Sequence, residues 1–502
     1  MESDSATSVI RQAFGNAIPR IQFNKDIFKQ LLIQWIVLCH ISFHQVEQPS
    51  FRLLLSYLSA TSASYTAIPQ SLSRSSTTLR TWTIQLFNQQ KQVLILLLES
   101  PSVIHFTFDL WTSSNHLALL GLVAHWITLE GKNCGALLGL RRMHGAHTGE
   151  NQSQILLTVL QGYSLIQKIG YFTLDNATNN DAALTCLSYR LRDMGIDFNP
   201  VESRLRCIGH VINLVVKAFL YGQDFINSNS QSSKDPFNQW QQQGPYGKLQ
   251  YIITYICWTP QRQEEFAKIT QEGQLEETTF QPIAANLTRW NSDFKALKRA
   301  LQLRNGFEVF IARHMRDGLQ HDQLDIDDWA ELQDITNILE PFHRCTLELE
   351  GHRGNGALYD LLPTMDYLLE HLEAAKAHHT AANSTPHLIN SILLAWQKLD
   401  KYDTLTDTNT AIYAAVVLHP SMKFEYFEIN WAEHSTWIES ARNKVILLWE
   451  TWFVLPICFC LFYILYKYYF SYKQCKPLPA TLPTSSTSSA TIDTTLNNWK
   501  NK

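Results

Sequence analysis

Two aspartates, Asp109 and Asp175, have the sequence surroundings that best suit catalytic chemistry. Each follows a run of β-branched and aromatic residues, 104–108 and 169–174, that predicts a β-strand. Two carboxylates at the ends of neighbouring strands repel each other, and both stay ionised most readily with a divalent cation between them. The pair therefore predicts a Mg²⁺ or Mn²⁺ site of the kind that supports two-metal phosphoryl transfer, which also needs a third acidic residue.

A structural interpretation of the same residues competes with the catalytic one. The string DNATNND at 175–181 has the composition of a loop followed by a helix N-cap, and Asp109 lies just before the turn-like string WTSSN at 111–115. From their spacing alone, Asp109 and Asp175 are better explained as turn and cap residues.

The predicted elements around the two aspartates follow an α/β order. Three strands follow one another with short links, which is typical of an antiparallel meander. A helix that begins near Thr148, a strand that ends at Asp175, a second helix over 181–194 and a short last strand complete the order β-β-β-α-β-α-β. This is the order of an RNase H-like fold with a mixed sheet, in which the strands of Asp109 and Asp175 are neighbours. The predicted strands cover 104–108, 117–129, 134–143, 169–174 and 205–208.

Helical patterns dominate the chain on both sides of this core. Apolar residues recur at helical spacing in the first hundred residues, and the long segment after the last strand shows almost only helical periodicity. We therefore expect an N-terminal helical region over 1–100, an RNase H-like core over 101–220 and an all-helical insertion over 221–450. Individual helices are predicted at 211–220, 329–339, 361–375 and 386–399.

Four motifs resemble the successive core motifs of hAT-superfamily DNA transposases, most of all those of fungal members. They are FDLWTS (108–113), TLDNATNN (173–180), RCIGHVINL (206–214) and LTRWNS (287–292). They occur in the family's order, and the resemblance extends from residue 23 to residue 431. It implies a nuclear protein for cut-and-paste DNA transposition, which acts on transposon ends by metal-dependent strand cleavage and transfer.

The resemblance also implies roles for individual residues. Asp109 and Asp175 match the first two members of the family's catalytic acid triad and would bind Mg²⁺ or Mn²⁺. Cys207 and His210 occupy the family's CxxH position beside the active site. Zinc normally takes four ligands, and no second pair in the sequence has ligand spacing, so we expect a structural role for these two residues.

The motif at 287–292 contributes two candidate DNA-binding residues. Trp290 matches an aromatic position that stacks on a flipped base in the family, a role that suits its large flat ring. A tryptophan of the protein core or of a helix cap is an equally good interpretation. Arg289 is expected either to contact a DNA phosphate or to cover a helix surface.

Two parts of intact family members have no counterpart in this sequence. No CxxC and HxxxH-like pairs of a BED zinc finger precede Phe23, so we expect weaker recognition of specific transposon ends. The C-terminal motif that carries the third acid and the dimerisation surface is also missing, so homo-oligomer formation and cleavage are both expected to be impaired. The acids in this region that do not match the motif are Glu425, Glu428, Glu433, Glu439 and Glu450.

The composition changes abruptly near the C-terminus. Residues 451–466, TWFVLPICFCLFYILY, carry no charge, and the apolar stretch can be extended past Lys467 to residue 472. A frameshift or an unspliced intron would explain this change, and a single membrane-spanning anchor over 451–472 is the rival hypothesis. The Ser/Thr-rich tail over 473–502 is predicted to be disordered.

Bulk properties limit the classes of function. A net charge of −4 and an isoelectric point near 6.5 exclude a globally basic nucleic-acid-binding protein, so any DNA contacts must be local. The absence of CxxC pairs and of an N-terminal signal-peptide pattern indicates a reducing, intracellular compartment. Besides a transposase, the sequence leaves two alternatives, which are a non-catalytic, domesticated DNA- or protein-binding module and a membrane-anchored protein.

Overall fold

The computed structural model describes residues 24–60, 75–98, 103–128, 130–222, 244–271, 281–285, 289–319, 322–349 and 357–453. The chain divides into a smaller and a larger compact unit. The smaller unit comprises Met1–Val103, Trp126–Cys134 and Tyr163–Leu165, and the rest of the chain forms the larger unit. The hydrophobic segment beyond residue 453 and the predicted tail over 473–502 lie outside the described residues.

The described part of the first hundred residues is helical, as its apolar spacing predicts. Helix α1 covers Lys25–Leu38, α2 covers Pro49–Ala60 and α3 covers Ser76–Leu98, with a 3₁₀ turn at Phe43–Glu47. Asn24 begins α1, because its side-chain oxygen accepts hydrogen bonds from the first free amides of the helix. A small core holds these elements together and contains Leu32, Ile36, Val46 and Leu79.

A mixed five-stranded sheet forms the α/β core, so the predicted α/β class with helical regions is confirmed. Its strands are β1 (Ile104–Thr112), β2 (Ala118–Ile127), β3 (Asn133–Arg142), β4 (Ile169–Leu174) and β5 (Arg204–Arg206). They lie in the order β3-β2-β1-β4-β5. Strand β1 is antiparallel to β2 and parallel to β4, and β4 is parallel to β5. The strands that carry the two aspartates are therefore neighbours.

The structure corrects the position of Asp109 within its strand. The sequence places Asp109 at the strand end, but β1 continues to Thr112. The reason is the pairing with β2, which continues from the partners Asp109 and Gly121 to the partners Thr112 and Ala118. Strand β4, which pairs with the other edge of β1, ends earlier, so Asp109 lies inside a strand whereas Asp175 follows one.

Two helices that pack against each other connect β3, β4 and β5. Helix α4 covers Gly149–Gly162 and α5 covers Thr178–Arg192. The predicted cap of α4 is present, because the Thr148 hydroxyl accepts a hydrogen bond from the Asn151 amide at 3.3 Å. Gly149 permits the close packing of the two helices, since a Cβ there would lie only 2.6 Å from the Ala182 backbone.

A large helical region follows β5 and shares one continuous core with it. All four helices predicted for this part of the chain are present, each within a longer helix. No described helix has both the length and the apolar character needed to cross a bilayer. The helices are α6 (Ile208–Tyr221), α7 (Pro245–Cys257), α8 (Pro260–Gln271), α9 (Asn291–Gln302), α10 (Arg304–His314), α11 (Ile326–Leu349), α12 (Leu361–Ala381), α13 (Pro386–Thr406), α14 (Thr410–Leu418), α15 (Glu425–Asn430) and α16 (Ser435–Phe453).

A buried ion pair connects α6 to α9. The Lys217 ammonium lies 2.7 Å from Oδ2 of Asp293, and both side chains are almost completely buried. The other carboxylate oxygen of Asp293 accepts hydrogen bonds from the hydroxyls of Tyr221 and Tyr246, each at 2.6 Å. Buried charges are tolerated only when they are paired and hydrogen-bonded, and this network meets that condition.

Buried carboxyl groups lie between the last helices. On α12, Oδ2 of Asp366 accepts hydrogen bonds from the Tyr426 hydroxyl at 2.5 Å and from the Trp431 indole at 3.1 Å, and burial raises the pKa of Asp366 to about 6. On α13, burial raises the pKa of Asp403 to about 7, with further contributions from the charges of Asp366, Asp407 and Asp400. Ionised Asp403 is thus unfavourable in the folded protein.

Removal of the buried carboxylate should destabilise the helical region. For Asp293→Ala we expect the free energy of unfolding, measured by urea denaturation, to fall by about 3–5 kcal/mol, because Lys217 would stay buried without its partner. The control is Glu308→Ala, which removes the exposed pair Arg304–Glu308 and should cost less than about 0.5 kcal/mol. Equal losses for the two variants would contradict the proposed importance of the buried pair.

The raised pKa of Asp403 predicts a stability that depends on pH. The folded-state pKa of about 7 exceeds the unfolded value near 3.9, so the contribution of this group to stability is lost as the pH rises from about 4 to about 7. We expect Asp403→Asn to raise Tm at pH 7.5 by roughly 2–4 °C, which corresponds to about 1 kcal/mol, because solvent screens this half-buried carboxyl group and leaves only part of the full pKa effect, and the gain should shrink towards pH 5. A gain that does not change with pH would argue against titration of Asp403.

Candidate active site

The alternation of side chains along β1 and β4 separates apolar from polar residues. Phe106, Phe108 and Phe172 are buried on one side of the sheet. Successive side chains of a strand point to opposite faces, so Asp109 and Asp175 lie together on the other side. Asp109 is exposed and Asp175 is half-buried.

The parallel register brings the two aspartates to the same level. Thr107 of β1 lies beside Thr173 of β4, and each aspartate follows its threonine by two residues. The backbones of neighbouring strands are about 4.8 Å apart, so this register places Asp109 and Asp175 close to each other beside the carboxyl end of β4. We call this position the aspartate site.

One oxygen of Asp175 takes part in the turn that leads into α5. Oδ1 accepts hydrogen bonds from the Ala177 amide at 3.1 Å and from the Asn180 side-chain amide at 2.5 Å. This is the turn role that competed with catalysis in the sequence analysis. The two roles are compatible because a carboxylate has two oxygens, and no hydrogen bond within the described residues uses Oδ2.

Two arginines of β5 hold the same turn. Nη2 of the buried Arg204 donates to the main-chain oxygen of Asp175 at 2.7 Å, and its Nε lies 2.7 Å from Oδ1 of Asp181. Nη1 of Arg206 donates to Oδ1 of Asn176 at 3.2 Å. Burial lowers the pKa of Arg204, and the nearby charge of Asp181 opposes this effect by stabilising the guanidinium.

His210, in the first turn of α6, is a third titratable group at the aspartate site. Burial lowers the pKa of its imidazole below 6.5, while the carboxylates of Asp175 and Asp109 both act to raise it. Both aspartates therefore lie within electrostatic reach of one ring. The net effect lowers the pKa and so favours the neutral imidazole.

Cys207 connects the strand to the helix. Its main-chain amide donates to the Leu174 oxygen at 2.8 Å, which extends the pairing between β5 and β4, and the residue occupies the N-cap position of α6. This position fits the structural role that we predict for Cys207.

The carboxylate ligands at the aspartate site have the chemistry that a divalent cation requires, but there are only two of them among the described residues. Carboxylate oxygens are the ligands that Mg²⁺ and Mn²⁺ prefer, and Asp109 and Asp175 provide them at one level of the sheet. Within the described ranges, no group of three or more His, Cys, Asp or Glu side chains could hold a metal ion. The five C-terminal glutamates all lie in those ranges, and none of them completes such a group with the two aspartates.

Trp290 lies in the core of the helical region. It is only 2% exposed, and its ring packs against Phe294 and, edge to face, against His343. Its main-chain amide donates to Oδ1 of Asn213 at 3.1 Å, so the motif at 206–214 contacts the motif at 287–292. The structure places Trp290 in the core, which was one of the two interpretations that the sequence left open. Stacking on a DNA base would require the ring to leave this pocket.

Arg289, next to Trp290, is exposed, as a phosphate contact requires. Its main-chain oxygen accepts hydrogen bonds from the amide and the hydroxyl of Ser292, at 3.1 Å and 2.7 Å, at the start of α9. The two preceding motif positions, 287 and 288, lie outside the described residues.

Three residues of the site, Arg204, Arg206 and Asp181, were not predicted from the sequence. A signal was present, because two arginines alternate in a three-residue strand and so point to one face of the sheet. Its interpretation needed the fold, since only the β4–β5 pairing shows that this face lies beside the turn of Asp175.

Two family models match the chain in succession. Residues 107–197 match the model described as the ZBED1 RNase-like domain, and residues 205–338 match the ZBED1 RNase-like helical domain. The first match covers most of the sheet with α4 and α5, and the second begins in β5 and continues into the helical region.

Curated relatives align with both regions. A protein described as the transcriptional regulator tpeD, from Talaromyces stipitatus, is 23% identical over 84% of this chain and 47% of its own length. The zinc finger BED domain-containing protein RICESLEEPER 2, from Oryza sativa subsp. japonica, is 23% identical over 87% of this chain and 56% of its own length. A Zea mays protein described as an AC transposase is 25% identical over 55% of this chain and 32% of its own length.

The chain spans about half the length, or less, of these relatives. The two RNase-like models and the four motifs nevertheless agree with one another, because both cover the sheet and the first helices that follow it. The matched domains and relatives therefore support a hAT-family, transposase-like protein.

Proposed function

We propose that this protein is a cut-and-paste transposase of impaired activity, in which Asp109 and Asp175 are the remaining ligands for Mg²⁺ or Mn²⁺. The observation that carries the proposal is the parallel register of β1 and β4, which places Asp109 and Asp175 close together at the aspartate site. A shared cation requires its carboxylate ligands to lie close together, and this register meets that requirement.

The chemistry of the site divides between the cation and the side chains. When bound, Mg²⁺ or Mn²⁺ supplies the charge that activates a water or 3′-hydroxyl and stabilises the leaving oxygen in phosphoryl transfer. Asp109 and Asp175 would bind the cation through their oxygens. Burial lowers the pKa of His210 and so favours its neutral form, which would not repel the cation.

The shortage of acidic ligands is the reason for proposing impaired cleavage. The two-metal reaction needs a third acid, and no such residue joins Asp109 and Asp175 within the described ranges. The same observation favours a second candidate function, which is a domesticated DNA- or protein-binding module that keeps the fold without the reaction.

DNA is the proposed partner of this protein, and the nucleus is its proposed location. Relatives of this chain are described as transposases and as zinc finger BED domain-containing proteins, and both descriptions suit proteins that act on DNA. Because the whole chain is slightly acidic, contacts with DNA would depend on local exposed cations such as Arg289.

A strand-cleavage assay tests the catalytic proposal. We expect slow, Mn²⁺-dependent nicking of a plasmid that carries the terminal inverted repeats of the encoding element. Asp109→Asn and Asp175→Asn should each reduce the rate on the order of 100-fold or more, since each removes a ligand needed in the transition state. The matched control is Asp197→Asn, a change at an exposed aspartate that should leave the rate unaltered.

The outcome of this assay separates the two candidate functions. Nicking that requires Mn²⁺ and both aspartates would exclude the binding-module interpretation. Retention of DNA binding by the wild-type chain, without nicking at any Mn²⁺ concentration, would instead exclude the catalytic proposal.

The neighbours Trp290 and Arg289 should affect different properties. We expect Trp290→Ala to lower the free energy of unfolding by about 3–5 kcal/mol, because it leaves a cavity in the helical core. Arg289→Ala should change that quantity by less than about 0.5 kcal/mol and should weaken DNA binding in a gel-shift titration at low salt. Unchanged stability of Trp290→Ala would contradict its assignment to the core.

A further inference from the structure

We propose that Arg204 is a positioning residue for the candidate metal site, because it fixes the turn that presents the Asp175 carboxylate. This inference rests on the proposed function, since it assigns Arg204 a role toward the cation that Asp109 and Asp175 would share. The guanidinium group of Arg204 contacts both ends of this turn.

The guanidinium of Arg204 spans the turn between β4 and α5. At one end of the turn, Nη2 donates to the main-chain oxygen of Asp175 at 2.7 Å. At the other end, Nε lies 2.7 Å from Oδ1 of Asp181, in the first turn of α5. One rigid, planar group therefore links the strand end, through a hydrogen bond, to the start of the helix, through an ion pair.

These contacts determine the orientation of the Asp175 side chain. Between the two points held by Arg204, Ala177 and Asn180 donate hydrogen bonds to Oδ1 of Asp175. If the turn loosened, these donors would move and the carboxylate would rotate. With the turn fixed, Oδ1 stays in its hydrogen bonds and Oδ2 remains for the neighbouring strand, where Asp109 lies.

The side chain of Arg204 is much more deeply buried than that of Asp181, its partner in the ion pair. The side chain is only 4% exposed, whereas that of its partner Asp181 is 45% exposed. Arg206 repeats the contact with Asp181 at a longer distance, 3.5 Å, and also holds Asn176 within the turn. Arg204 thus forms the shorter and better shielded of the two links, and a buried guanidinium keeps a single geometry more strictly than an exposed one.

The backbone of Arg204 is anchored independently of its side chain. Asn409, which caps α14 and is 2% exposed, donates from its side-chain amide to the Arg204 oxygen at 3.2 Å and to the Glu202 oxygen at 2.7 Å. Strand β5 therefore stays in place when the side chain at position 204 is changed. A substitution can thus alter the turn without removing the strand.

The test measures the binding of Mn²⁺ alone to the full chain, together with amide hydrogen exchange of peptides covering 174–181 in metal-free protein. For Arg204→Met we expect Mn²⁺ affinity to fall about 10-fold or more and exchange in this segment to become faster, because outer residues that orient ligands have effects of this size. Arg204→Lys should be intermediate, since an ammonium keeps the charge but cannot span both ends of the turn. Asp181→Asn removes the exposed partner and should act in the same direction as Arg204→Met.

The matched control is Arg192→Met, which replaces an exposed arginine at the far end of α5 and should change neither measurement. Unchanged affinity and exchange in Arg204→Met would overturn the proposal, as would equal effects in Arg192→Met. If Arg204→Met fails to fold, Asp181→Asn decides the outcome by the same two measurements.

Failure of the proposed function would be visible separately. If Mn²⁺ binding is the same in the wild type, Asp109→Asn and Asp175→Asn, the two aspartates do not form the metal site. Hydrogen exchange in metal-free Arg204→Met then decides whether Arg204 holds the turn, and unchanged exchange overturns that role.

Discussion

The parallel pairing of β1 with β4 is the interaction on which the rest of the candidate site depends. It sets the register that makes Asp109 level with Asp175, and the two strands also pack through the stacked rings of Phe106 and Phe172 on the opposite face. Because side chains alternate along a strand, a slip of one residue in either strand would bury its aspartate and expose its phenylalanine. The burial of the aromatic face therefore protects the geometry of the polar face, and the hydrophobic core and the candidate chemistry are specified by the same pairing.

The first helix after the sheet is joined to the rest of the helical region by polar contacts as well as by the apolar core. The amide of Trp290 donates to Asn213 on α6, and the buried pair of Lys217 and Asp293 connects α6 to α9 a little further along. The first contact joins the motif at 206–214 to the motif at 287–292, and the second lies just beyond both motifs. The ion pair is buried, so removal of one partner would leave an uncompensated charge. The two motifs thus have a shared structural role that does not depend on DNA, and this role accounts for the tryptophan and asparagine without base contacts.

Much of the fold and part of the site could be predicted from the sequence. The strand runs, the Thr148 cap and the long helices follow from local patterns, which act over one or two turns of helix or one strand. The predicted end of β1 was wrong because pairing with β2, and not composition, determines where that strand stops. The environment of Trp290 depends on α6 and α11, which are distant in sequence, so periodicity could not distinguish a core position from an exposed one. The role of Arg204 was missed for the same reason, since its contacts with the turn become possible only when β5 pairs with β4.

Asn409 has a consequence for the order in which the molecule is assembled. Its bond to the Arg204 oxygen joins positions 205 residues apart, and closing a loop of that length costs about 5 kcal/mol of chain entropy. Strand β5 lies at the edge of the sheet, and its main-chain oxygens gain this partner only after almost the entire helical region has been synthesised. Contacts so distant in sequence form late in folding. The nascent chain would therefore make the aspartate-bearing strands early and complete the edge that steadies them last, which couples maturation of the site to the correct folding of helices far from it.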